Sequence, residues 1–108
     1  MGTAMKRLQI VPREDTRLYG AMINKEAEIR RSGRGTFSRV GKRRRNKTRW
    51  KHAKYTGRVE LESALADVVS VEINSPDKGD ESRLLSAFLG WLDRHFGDQV
   101  SSVNIQYQ

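Results

Sequence analysis

Six stretches of patterned hydrophobicity run along the chain. Lys6–Val11 alternates weakly, with Leu8 and Ile10 on one side and Pro12 closing it, as a short strand would. Over Glu14–Arg31 the residues Leu18, Tyr19, Met22, Ile23 and Ile29 fall on one stripe at about 100° per residue, which predicts a helix. Glu26 intrudes on that stripe and Gly20 weakens it. Acidic Glu14 and Asp15 open the segment and Arg30 and Arg31 close it, in line with the helix dipole. Trp50–Glu62 reads as one strand, with Ala53, Tyr55, Gly57, Val59 and Leu61 on one face and Trp50, His52, Lys54, Thr56, Arg58, Glu60 and Glu62 on the other. Ser63–Asp67 reads as a turn, and Val68–Asn74 as a strand with Val69, Val71 and Ile73 on one face. The loop at 75–80 offers Asp80 as a cap for a helix over Glu81–Phe96, whose Leu84, Leu85, Phe88, Leu89, Leu92 and Phe96 form the clearest apolar stripe. Gly97 stands where a helix-ending glycine belongs, and Gln99–Tyr107 alternates as a last strand.

The predicted order is strand, helix, strand, strand, helix, strand. That is the βαββαβ, ferredoxin-like order of an α+β domain. It would bury Leu8, Ile10, Val59, Leu61, Val69, Val71, Ile73, Val103 and Ile105 beneath two helices. Without its first strand and helix it reduces to a ββαβ unit of three strands and one helix over residues 49–107. The 108 residues suffice for one domain, with 49–108 as its best-defined part. Between the first helix and the second strand, residues 32–48 hold three glycines and many arginines, with only Phe37 and Val40 as apolar material. Such a segment buries too little surface to offset its ordering entropy, so a mobile basic loop or arm is expected there.

Charge sharpens the picture. Between Ile29 and Val59 lie Arg30, Arg31, Arg34, Arg39, Lys42, Arg43, Arg44, Arg45, Lys47, Arg49, Lys51, Lys54 and Arg58, with no aspartate or glutamate among them. Residues 1–28 carry a net +1 and residues 60–108 a net −6, for +8 overall. The excess is thus one dense block beside an acidic neighbour. Its self-repulsion is relieved by a polyanion, and nucleic acid, RNA or DNA, is the commonest one. Trp50, His52 and Tyr55 are interleaved with the cations, as residues that stack on bases would be. Residues 42–55 resemble in composition the arginine-rich motifs of RNA-binding proteins. The expectation is a nucleic-acid-binding protein without catalysis, contacting phosphates through the 30–58 block with Trp50, His52 and Tyr55 beside it. One alternative is an adaptor docking an acidic protein through the same block; another is a small metal-free ribonuclease-like toxin using His52.

Enzymatic and cofactor readings find little support in the spacing. His52 and His95 are the only histidines and neither has a metal-ligand partner at the usual interval. Glu60 and Glu62 beside Arg58 read as a salt-bridged strand edge, and Asp77, Asp80 and Glu81 as capping acids rather than a calcium loop. No cysteine is present, so thiolate metal sites, disulfides and a cysteine nucleophile are excluded. No cofactor and no metal are expected. The longest apolar run, Leu84–Leu92, is interrupted by Ser86 and Gly90 and is too short to span a bilayer. The expected location is the cytoplasm, or the nucleus in a eukaryote, where the KRRR tetrad would pass as an import signal.

Overall fold

A computed structural model describes residues 4–14, 16–42 and 44–107. Its elements are β1 (Ala4–Pro12), α1 (Leu18–Arg31), β2 (Phe37–Arg39), β3 (Lys47–His52), β4 (Arg58–Ser63), β5 (Val69–Ser75), α2 (Lys78–Phe96) and β6 (Val100–Tyr107). The architecture is α+β. The strands pair antiparallel in one six-stranded sheet, in the order β2-β3-β4-β5-β1-β6. Both helices lie on one face, α1 mainly against β2 and β4, α2 mainly against β5 and β1.

Alternation builds the core. Along β5 the burial pattern is strictly two-fold, so Val69, Val71 and Ile73 face the helices. They align with Ile10, Leu8 and Lys6 of β1. Of the expected core, Leu8, Ile10, Val59, Leu61, Val69, Val71 and Ile73 are buried, joined by Leu18 and Met22 of α1 and Leu84, Phe88 and Leu92 of α2. Val103 and Ile105 are only half-buried, because the helices sit over the other strands.

Four expectations need correction. The single strand over 50–62 is two strands, β3 and β4, joined by a turn at 53–57. Gly57 has φ +123°, and a Cβ there would stand 2.2 Å from the Asn74 carbonyl oxygen, so only glycine fits. The turn is tied down by the Asp80 carboxylate, which accepts from the Thr56 N–H at 2.9 Å and the Thr56 hydroxyl at 2.8 Å. Asp80 is therefore not the cap of α2; Asp77 is, accepting from the Asp80 N–H at 2.9 Å. The first helix begins at Leu18 and has no acid in its first turn. Glu14, at φ +50°, cannot belong to it, and Asp15 lies outside the described residues. Finally, the stretch expected as a loop or arm contains β2 and the start of β3, so the sheet has six strands and not four. The physical reason is Phe37, which is buried against Trp50 and Phe88 and draws its strand onto the sheet.

Candidate nucleic-acid interface

The basic block folds around the β2–β3 hairpin. In Lys47–His52 burial alternates strictly: Lys47, Arg49 and Lys51 are exposed, whereas Thr48, Trp50 and His52 are buried. One strand thus carries a row of cations on the open face of the sheet and a row of anchors on the helix face. The anchors form an aromatic chain. Trp50 lies 6.1 Å from Phe37, 6.4 Å from Phe88 and 5.0 Å from Trp91, centroid to centroid, and His52 stands edge-on to Phe37 at 5.0 Å.

This overturns the expected orientation of the aromatics. Trp50 is fully buried and cannot stack on a base; His52 is buried beside it. The reason is the turn at 53–57. It reverses the chain so that Trp50 pairs with Val59, and paired residues share a face. Tyr55 is half-buried, with its ring stacked on His52 at 4.4 Å. Of the groups expected on the open face, Arg58 is there, opposite Asn74, while Lys54 belongs to the turn.

The remaining cations surround the hairpin. Arg30 and Arg31 end α1, Arg34 lies in the link to β2, Arg39 is on β2, and Lys42, Arg44 and Arg45 form the β2–β3 loop. Arg43 lies outside the described residues. Two of these cations are engaged with acids: Arg30 Nε is 2.9 Å from buried Glu26, and Arg49 Nε is 3.6 Å from Glu60. The first pair explains how Glu26 is tolerated on an apolar stripe. Arg31, Arg34, Arg39, Lys42, Arg44, Arg45, Lys47, Lys51, Lys54 and Arg58 are exposed and have no acid within salt-bridge distance among the described residues.

The open face changes sign towards its middle. Arg49, Glu60, Glu72 and Arg7 stand in one row across β3, β4, β5 and β1. Arg7 Nε is 3.5 Å from Glu72. The two central acids lie directly opposite each other and each is paired with an outer arginine, so the row carries no net charge and the free cations lie beyond it on the β2–β3 side. On that side a cleft of about 560 Å³ is lined by Lys42, Arg44, Lys47, Thr48, Arg49 and Glu60, together with Val40 and Gly41. The buried Thr48 hydroxyl has no hydrogen-bond partner among the described residues. Thr48 and Phe37 were missed in the sequence. The signal for Thr48 was present, since the alternation that includes Trp50 begins at Lys47.

The His52 ring is fixed by one hydrogen bond from the backbone. Its Nδ1 accepts the Lys54 N–H at 3.0 Å, leaving Nε2 as the protonated nitrogen. Burial of the ring, with the nearby Lys54 charge, holds its pKa below the ordinary 6.5. A second groove, about 570 Å³, runs past His52, Tyr55, Arg83, Ser82 and Ser86, with no carboxylate on its wall. Among the described residues there is no group of three or more histidines, acids or cysteines able to hold a metal ion, and no helix long and apolar enough to cross a membrane.

No protein-family model matches the chain, and comparison with curated proteins and with solved structures finds no significant match.

Proposed function

We propose that this protein binds nucleic acid by its phosphates, using the β2–β3 hairpin and the adjoining end of α1, and does so without catalysis. The observation that carries this reading is the set of ten exposed cations on β2, β3, the loop between them and the flanking parts of α1 and β4, none of them with an acid within salt-bridge distance among the described residues. Cations left unpaired at such density repel one another, and the counterions they hold are released when a phosphate chain takes their place. Arginine outnumbers lysine in the block, and its planar fork suits phosphate oxygens. With Trp50 buried, stacking on bases contributes little, so recognition rests on backbone geometry rather than sequence.

The test is fluorescence anisotropy with labelled RNA, single-stranded DNA and duplex DNA, and with polyglutamate as the acidic-polypeptide control. Tighter binding to any of the nucleic acids than to polyglutamate supports the reading. Preference for polyglutamate would make the block a dock for an acidic protein. Cleavage of the RNA that disappears in His52→Ala would replace the reading with a ribonuclease.

We also infer that the fold elaborates the ferredoxin-like arrangement. With β2 and β3 set aside, the chain runs strand, helix, strand, strand, helix, strand, and the neighbours are β4-β5-β1-β6. The hairpin is then an insertion after α1 that widens the sheet at β4 and carries the cations. Hydrogen exchange tests this: amides of β1 and β5 should exchange last and those of β2 and β3 earlier. Slowest exchange in the hairpin would contradict it.

A further inference from the structure

We infer that two copies of this chain associate edge to edge through β6, in antiparallel register about a two-fold axis, making one continuous twelve-stranded sheet. Three independent features point to this edge and to this occupant.

The first is the backbone. β6 ends the sheet order, so its outer N–H and C=O groups have no strand to pair with among the described residues. Edge strands in monomers are normally blunted by charge, proline, bulges or shortness. β6 has eight residues, VSSVNIQY, with no charge and no proline. Its one irregularity falls opposite Val11/Pro12, which leaves Ser102–Tyr107 in regular register with β1.

The second is the side chains. Helix coverage stops short of β6, so Val103 and Ile105 are half-buried and Tyr107 is 70% exposed. A two-fold axis through Ile105 sets Ile105 against its copy, Val103 against Tyr107 and Asn104 against Gln106. From Val103 to Tyr107 each opposed pair then matches apolar with apolar or amide with amide, on the correct face of the sheet.

The third is charge, which selects a second copy over a foreign strand. A chain of net +8 repels its own copy, and the repulsion is least where the cations are farthest apart. Six of the unpaired cations, Arg39, Lys42, Arg44, Arg45, Lys47 and Lys51, lie on β2, β3 and the loop between them, at the opposite end of the strand order from β6, while Arg13, whose N–H donates to the Gln99 carbonyl, is an exception beside the start of β6. Pairing through β6 places the two cationic edges at the outer ends of the joint sheet, on the order of 50 Å apart at a strand spacing of about 4.8 Å. The geometry is isologous, as expected of a closed homodimer. It holds whatever the cationic edge binds.

The experiment is sedimentation equilibrium of the full chain at physiological ionic strength up to millimolar concentration, combined with cysteine cross-linking. The natural sequence has no cysteine, so a single introduced thiol reports on proximity without background. The expected result is a concentration-dependent shift from one chain mass to two. Ile105→Cys should form a disulfide-linked dimer on mild oxidation, whereas Leu65→Cys, 91% exposed in the β4–β5 connection, should not. Asn104→Lys should abolish the association while leaving the circular dichroism spectrum unchanged. A single chain mass at every concentration overturns the inference, as does a dimer that Asn104→Lys does not weaken.

Discussion

At one margin of the sheet, β2 is three residues long, carries Arg39, and runs into a loop of lysine and arginine. At the other, β6 is eight residues long and uncharged. The first margin is closed to strand pairing twice over, by shortness and by repulsion, and its cations remain free for an anion. The second offers an unobstructed backbone ladder. Both are built from alternating strands. The difference lies in what fills the solvent-facing positions: Lys47, Arg49 and Lys51 on β3, against Ser102, Asn104 and Gln106 on β6. One alternation therefore yields two surfaces, and the polar residue type decides which ligand each can accept.

The largest effect should come from removing the anchor beneath the cationic margin. Trp50→Ala is expected to destabilise the protein by about 3–5 kcal/mol, since a fully buried indole leaves a cavity between Phe37, Phe88 and Trp91. Urea unfolding measures it. A variant of wild-type stability with weakened oligonucleotide binding would instead make Trp50 a stacking residue. On the other side, Lys6 pairs with buried Glu81 and lies 5.3 Å from the Tyr107 ring. Lys6→Met strands the carboxylate and should cost about 3–5 kcal/mol in the same assay.

Binding separates the margins more sharply than stability does. Replacing Arg44, Arg45 and Lys47 together by alanine should weaken binding to all sequences alike. It should also make the dependence of log K on log salt shallower by about 2–3 for a duplex. Asn104→Lys, at the far margin, should leave that slope unchanged. Equal effects from the two variants would erase the distinction between the edges.

The smallest effect is that of pH. Burial first, and nearby cations second, hold His52 and His95 below the ordinary 6.5. The native state therefore favours the neutral rings, and the unfolded chain takes up protons first as pH falls. The stability these groups contribute is complete above pH 6.5 and declines as pH drops from there through their lowered native values. His52→Gln should flatten the fall in urea midpoint between pH 7 and pH 5, and an unaltered profile would remove His52 as a cause.

The elements that follow simple periodicity were legible in the sequence. β5 and α2 lie close to where alternation and the apolar stripe place them, because each presents a single face to the core. The region from 32 to 62 was harder to read. Its composition predicts a loop, yet two residues, Phe37 and Trp50, hold it to the sheet. Trp50 amid lysine and arginine fits either a packing residue or a base stacker, because aromatic and cation alternate in both a nucleic-acid motif and an amphipathic strand. Only the turn at Gly57, which brings Val59 opposite Trp50, distinguishes them, and a glycine in an alternating run does not reveal a chain reversal. The cations themselves were legible as a block; which of them are neutralised was not, since Glu26 and Glu60 reach Arg30 and Arg49 through helix and sheet geometry.

A salt titration of duplex DNA binding by the unmodified protein tests the central claim most directly. With about five to eight phosphates engaged, log K should fall linearly with log salt at a slope of about −4 to −7. No binding at low ionic strength, or an affinity indifferent to salt, would contradict the account.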